Sequence, residues 1–521
     1  MDSSQITHWD PAMTTTQTAP AADAKQAGSA AHTQAADNPR ALPGRFLRPI
    51  KITLLGAGSN FTPKLARDFL MIEATRGGTI ALVDIDEDRL SAMHRIVERL
   101  IDQLGASGWS VESSTDRREV MAGSHYLTNC IEVAGVDCVA FDNDIPLKYG
   151  VDQCIGDTIG PGGLFKTLRT VPVFLDALRD AAELCPGAIV LNYTNPMNML
   201  CLAAGRTVPE IPVVGLCHSV QGTSHLLAKY ADVPYEELDW ECAGINHLAW
   251  FTRLEHEGAN LYESKLYEKF RREVAAGVAE AEAGKARHDD ADKSHNGEVD
   301  VEYEHQDLIR KDMCVHFGAF ITESSGHLSE YLPYYRKSDA GRKLLRLGYH
   351  GGSRFYASNW PRWREMADAY RARILSGEDE IELERSWEYA SWIVEAREKN
   401  SPYKIYGNVM NTAHGPDGWG KGELITNLPA NGCVEVACLV DRNGVQPVRY
   451  GALPPQMASI CRSNMAMFDR AADACIQKSK EAAIQALMLD PLTAAVCTPG
   501  EIRRMAHEMF DAEKDFLPGF E

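Results

Sequence analysis

The sequence predicts an α/β protein built on a doubly wound parallel sheet, and three observations lead there. First, an apolar run, IKITLLGAGS, ends in Gly56 and Gly58 and passes directly into the helical spacing of Leu65, Phe69 and Ile72. Second, TIALVDID at 79–86 has β character and is followed by a long helical pattern from about Asp88 to Gly105. Third, the strand-like runs HYLTNCIEV, AIVLNYTNP and IPVVGLCHS are separated by helical stretches such as VPVFLDALRDAAELC. Strands alternating with helices of this length over roughly residues 49–220 make βαβ units.

Residues 1–47 are rich in Ala, Thr, Gln and Asp and nearly devoid of large apolar side chains, so a disordered tail is expected. They lack the apolar core of a signal peptide and the arginines of a transit peptide. The first α/β unit takes 48–240, and 241–521 forms a second, catalytic α/β domain. Within the latter, 258–305 is a charged insertion read as a solvated helix plus mobile loop. Helical character resumes at DLIRKDMCVHFGAFITESSGHLSEYL. Apolar alternation around Asn443–Gly444 predicts a hairpin, and PPQMASICRSNMAMFDRAADACIQ a long closing helix.

The 521 residues hold 53 Lys and Arg against 73 Asp and Glu, a formal net charge of −20, with no basic stripe. Nucleic acid and anionic membrane are therefore excluded as partners. No apolar run reaches the ~18 residues of a membrane span. Thirteen cysteines stand singly, odd in number and without a CxxC, which argues for a reducing, cytoplasmic setting and against a disulfide framework.

Gly56 and Gly58, between strand and helix, allow backbone amides to approach a pyrophosphate, with Ser59, Asn60 and Phe61 completing the turn. The third small position of the usual fingerprint is occupied by Phe61. Asp84, 26 residues after Gly58, is placed to accept from a ribose 2′-hydroxyl and favours NAD over the phosphorylated cofactor. A second constellation follows later strands: Asn195-Pro196, then Cys217-His218, then His247. Ligands gather outside the carboxyl ends of such strands. Cysteine and histidine here suit either a divalent metal or a buried thiol beside a satisfied imidazole. Asp157, in GDTIGPGG, reads as a cap for the following helix or as a group tuning a neighbour's pKa, the cap being favoured. Asp312 is a further candidate, with Glu323, His327 and Glu330 at i, i+4, i+7 on one helical face.

KITLLGAGS, LVDID, DNDIPLKYG, GDTIGPGG, NYTNPMNML, GLCHSVQGTS, AGINHLAW, HFGAFITESSGHLSEY and CVEVACLVDRNGVQP occur in this order over about residues 50–500. The ordered set resembles glycoside hydrolase family 4, the NAD- and divalent-metal-dependent glycosidases, and within it the α-galactosidase branch. The resemblance implies a Rossmann-type domain joined to an α/β domain like that of lactate and malate dehydrogenases, with NAD and Mn²⁺ meeting the sugar between them. It implies Cys217 and His247 as metal ligands, Asn195 and Asn198 on the substrate, Asp312 as proton-abstracting base with Asp157 in support, and His218 at the position of an acid. The reaction implied is oxidation at C3 of the sugar, loss of the C2 proton, elimination of the aglycone, addition of water and return of hydride, outside the usual two-carboxylate scheme.

Phosphosugar-using members carry an arginine just before IPLK, and here the run is CVAFDNDIPLK, so an unphosphorylated α-galactoside is the expected substrate. A thiolate with one imidazole is a soft, incomplete site for manganese and implies weak metal retention. The competing activities are α-glucosidase, α-glucuronidase or α-galacturonidase, and, in another class, an NAD-linked hydroxy-acid dehydrogenase. A homodimer or homotetramer is the assembly that the resemblance suggests.

Overall fold

Six short strands set the parallel half of the protein: β1 (Ile50–Leu55), β2 (Gly78–Val83), β3 (Trp109–Ser114), β4 (Tyr126–Asn129), β5 (Ile189–Asn192) and β6 (Val213–Gly215). All but β3 are largely apolar, as strands covered by helices on both faces must be. They lie in the order β6-β5-β4-β1-β2-β3, the doubly wound arrangement. The registers Leu55↔Asn129 and Asn129↔Asn192 bring the carboxyl ends of β1, β4 and β5 level. A computed structural model describes residues 41–285, 288–289, 294–295, 298–299, 304–412 and 422–520.

The sheet does not stop at β6. The second half adds β7 (Leu238–Ile245), β8 (Leu248–His256), β9 (Ala259–Asn260), β10 (Phe320–Ile321), β11 (Tyr403–Met410), β12 (Cys433–Asp441) and β13 (Gly444–Pro447). These pair antiparallel, and β11 joins β6 through Asn408↔Gly215. One thirteen-stranded mixed sheet results, ordered β10-β8-β7-β12-β11-β6-β5-β4-β1-β2-β3, with β9 beside β8 and β13 beside β12. The expected α/β class and parallel core are present, and the Asn443–Gly444 turn does close a hairpin, β12 to β13.

Two stretches that carry no strand expectation are strands. WSVESS is β3, an edge strand whose polar residues face solvent, so it lacks the apolar signature. DWECAGINHLAWFTRLEH is the β7–β8 hairpin, with a register shift between Glu241 and Cys242 that interrupts its alternation. The expected tail is also shorter than 47 residues. Leu42 and Phe46 are buried, the Leu42 amide donates to Glu395 and its carbonyl accepts from Lys399. The rest of the expected tail, 1–40, lies outside the described residues, as do 286–287, 290–293, 296–297 and 300–303 of the charged insertion. The insertion's helix, Tyr267–Glu282, buries only Phe270 and Gly277.

One helix from each half contributes side chains to the cavity described below. Gly160–Leu184 is buried almost completely through its first three turns, including the charged Lys166 and Arg169. Phe355–Ser376 comes from the second half and packs its Trp363 against Tyr349, Phe355 and Tyr356. No helix among the described residues is long and apolar enough to cross a membrane.

Candidate active site

A cavity of about 510 Å³ runs from the glycine turn after β1 to the ends of β5 and β6. Gly56, Gly58, Ser59, Asn60, Phe61 and Asp84 line one end, and Asp157, Asn195, Cys217, His218 and His247 the other. Gly56 has φ +76°, and a Cβ there would sit 2.6 Å from the Cys130 carbonyl carbon. Only glycine fits. The Gly58 amide donates to one Asp84 oxygen at 2.7 Å and the Asp86 amide to the other at 2.9 Å, which fixes the carboxylate at the end of β2. Phe61 fills the third fingerprint position by packing edge-on against Tyr193 at 5.0 Å. Arg371, from the Phe355–Ser376 helix, donates to Asn60 and to the Gly58 carbonyl, closing this end from above.

At the other end three ligand-type atoms converge. Cys217 follows β6, and its sulfur lies 3.5 Å from His247 Nε2. His247 occupies the turn between β7 and β8, with φ +61°. Glu323 follows β10, whose pairing Ile321↔Trp250 continues through a Thr322 amide bond to the Ala249 carbonyl and so carries Glu323 back to the hairpin turn. Its own φ is +72°, a second non-glycine residue in the left-handed region at one site. Sγ of Cys217, the His247 nitrogen and a Glu323 oxygen lie within 4.8 Å of one another, all buried. Glu323 Oε2 and His247 Nδ1 lack hydrogen-bond partners. Buried polar atoms left open in this way fit a divalent cation. Burial drives the Cys217 thiol well above its ordinary pKa, reinforced by Glu323 and Glu435, and burial pulls His247 down to about 4. The imidazole is thus neutral and ready to ligate, while the thiol needs the cation to lose its proton.

The remaining polar groups form a connected wall. His327 lies 3.2 Å from Glu323 and 3.7 Å from Asp157, and Asp157 lies 3.6 Å from Lys166, which is 2.8 Å from Glu132. Burial would raise the Asp157 carboxyl, but Lys166 and His327 hold it at about 2; burial would lower His327, but Glu323 and Asp157 raise it above the usual imidazole value. Opposite, His218 Nε2 lies 2.8 Å from Glu388, which also binds Lys64 at 3.0 Å. The Asn195 side-chain oxygen is buried without a partner.

Four expectations are not met by the geometry. Asp312 does not line the cavity: it accepts from the Tyr335 hydroxyl at 2.7 Å and pairs with His316. Asn198 is buried beneath the cavity and donates to the Cys433 carbonyl. Asp157 is an ion-pair partner of Lys166, and the helix that starts at Gly160 has no side-chain cap. Glu323 precedes the short helix Ser325–Tyr331, so it does not share a helical face with Glu330, which instead accepts from the Cys154, Ile155 and Gly156 amides. Sequence reasoning passed over Lys166, Glu132, Glu388 and Arg371. Lys166, like Arg169, carries a signal, a charge among the small and apolar residues of GPGGLFKTLRTVPVF.

Known proteins resemble this chain along most of its length. The family model described as "Family 4 glycosyl hydrolase" matches residues 51–233, and "Family 4 glycosyl hydrolase C-terminal domain" matches 242–493. An α-galactosidase from Bacillus subtilis (strain 168) is 35% identical over 474 residues, 90% of this chain and 99% of the relative. An α-galacturonidase from Lachnoclostridium phytofermentans is 26% identical over 482 residues, 90% of this chain and 97% of its own. Among solved structures, a 6-phospho-α-glucosidase from gut microorganisms in complex with NAD and Mn²⁺ superposes with a TM-score of 0.69 at 18% identity, covering 91% of this chain and all of that one. The chain belongs to the family 4 glycosyl hydrolases and is a glycoside hydrolase.

Proposed function

We propose that this protein hydrolyses unphosphorylated α-galactosides with NAD⁺ and a divalent cation, Mn²⁺ by preference. The observation that carries the reading is the buried Cys217–His247–Glu323 trio at the far end of a cavity that begins at the Gly56–Gly58 turn. Gly56, Gly58 and Asp84 would hold the dinucleotide and the trio the cation. When bound, these groups supply a hydride acceptor and a Lewis acid that together make the sugar C2 proton removable.

The chain's own residues supply orientation and proton transfer. Two carboxylate-backed imidazoles face the cavity, His218 on Glu388 and His327 between Asp157 and Glu323. They are placed to remove the C2 proton and to protonate the departing oxygen. Asn195 presents an open acceptor to a sugar hydroxyl. An unphosphorylated sugar is supported by charge. At this end Lys166 is already committed to Glu132 and Asp157 and Lys64 to Glu388, and no guanidinium stands in the run before Ile145, where Asp142 and Asn143 are buried. A phosphate would find both of these ammoniums already paired with carboxylates.

The test is hydrolysis of para-nitrophenyl α-galactoside, α-glucoside and α-galacturonide, with and without NAD⁺, Mn²⁺ and reductant. The expected result is α-galactoside cleavage requiring both, with no net NADH and a primary isotope effect at C2. Turnover in cofactor-stripped protein refutes the mechanism, and NADH accumulation with a hydroxy acid points to a dehydrogenase.

A further inference from the structure

The cavity wall contains a charge that the reaction does not use. Lys166 reaches Glu132 at 2.8 Å and Asp157 at 3.6 Å and lies 5.2 Å from the centre of the Trp360 ring. Its side chain is only 5% exposed and that of Asp157 11%, whereas Glu132 keeps 29%. Of the three, Glu132 is the group a ligand meets. It stands just beyond the carboxyl end of β4, beside the turn to Gly135. A Cβ on Gly135 would lie 3.0 Å from the Glu132 side chain and 3.7 Å from Trp360, so a glycine there leaves both side chains room to share one wall. Through Lys166, Asp157 and His327 this wall is continuous with Glu323. Glu132 therefore stands between the glycine turn, which meets the Cys130–Ile131 backbone, and the sugar end of the cavity, to which Lys166, Asp157 and His327 connect it.

We propose that Glu132, fastened by Lys166 beside the Trp360 ring, is the specificity-determining residue that restricts the site to uncharged sugars. An aromatic face next to a fixed carboxylate suits a neutral pyranose, whose C–H face packs on the ring while a hydroxyl donates to the carboxylate. A sugar with a carboxylate at C6 meets a like charge instead. The compensating ammonium is buried behind it and already bonded to both Glu132 and Asp157. The proposal rests on the α-galactosidase reading and names the residue by which galacturonides are refused.

The test compares wild-type and Glu132→Gln protein, loaded with NAD⁺ and Mn²⁺, on para-nitrophenyl α-galactoside and α-galacturonide, with inhibition constants for D-galactose and D-galacturonate. The glutamine keeps the shape and releases Lys166 to a substrate carboxylate. The expected result is at least a tenfold rise in the galacturonide-to-galactoside ratio of kcat/KM, with tighter galacturonate inhibition. Structural damage lowers both substrates together and leaves the ratio unchanged, so an unchanged ratio overturns the role of Glu132. Should Glu132→Gln fail to fold, Glu132→Ser is read in the same way. Wild-type protein that prefers the galacturonide, or cleaves neither, overturns the galactosidase reading itself, an outcome distinct from unchanged selectivity in a working galactosidase.

Discussion

Replacing Glu435 by glutamine should stabilise the protein at neutral pH and above. Glu435 projects from β12 with no exposure, between Gly244 of β7 and Asn408 of β11, and lies close enough to raise the Cys217 thiol. Asn408 donates to one carboxyl oxygen at 3.0 Å, and the other has no partner. Burial pushes this carboxyl from 4.5 to about 8, against the lowering effect of Asn408. The folded pKa is raised, so the contribution of Glu435 to stability is fully present below about pH 4.5 and is lost as pH climbs to about 8. At pH 7 the unfolded carboxyl has lost its proton and the folded one has kept it. Some 2.5 units of mismatch at 1.36 kcal/mol each cost ~3 kcal/mol. Glutamine removes that cost while its carbonyl still serves Asn408, although its amide lacks an acceptor at about 1 kcal/mol. The net gain is ~2 kcal/mol at pH 7, growing toward pH 8 and level beyond. Guanidinium unfolding of both proteins from pH 5 to 9, in chelator so that no cation stabilises the carboxylate, measures it. A difference independent of pH refutes the reasoning.

Other consequences follow from the same geometry. Glu323→Gln should weaken Mn²⁺ binding by about 100-fold or more, read by the electron spin resonance signal of free Mn²⁺, because a charged ligand-type oxygen is lost from the trio; unchanged affinity removes Glu323 from the site. Asp84→Ala should weaken NAD⁺ binding about tenfold, measured by fluorescence quenching, since it removes both the expected ribose contact and the anchor of the Gly58 amide. Asp312→Asn should leave kcat/KM within about twofold and cost ~1 kcal/mol of stability through the Tyr335 bond; a loss of activity of several orders would restore it as the base.

The sequence disclosed most where local chemistry repeats a rule. The glycine turn, Asp84, Asn195, Cys217 and His247 all lie at strand ends or in a two-residue turn, and order along the chain located them. It disclosed least where position depends on pairing between distant strands. Glu323 meets His247 because β10 pairs with β8, a contact across some seventy residues that no periodicity announces. Asp312 departs for a related reason: the resemblance put it at the base position, whereas the helix Leu308–Phe317 turns it toward Tyr335. Glu132 was passed over as one residue of an apolar run, IEVAG, and only its pairing with Lys166 distinguishes it.

The origin of the three metal-type residues predicts how the cation acts on the whole protein. Cys217 belongs to the parallel half of the sheet, and His247 and Glu323 to the antiparallel half. The halves are joined in the sheet at the β6–β11 seam, where β6 is only three residues long. A cation held by all three therefore ties the halves together on the cavity side of that seam and binds neither half alone. Binding to the native state alone stabilises it by RT ln(1 + [M]/Kd), ~2.7 kcal/mol at a hundredfold excess over Kd. Thermal unfolding should then be a single transition whose midpoint rises with the logarithm of Mn²⁺ concentration, and Cys217→Ser should flatten that dependence. If Mn²⁺ moved one transition of two and left the other fixed, the cation would be bound within a single half, and the three-residue site would be wrong.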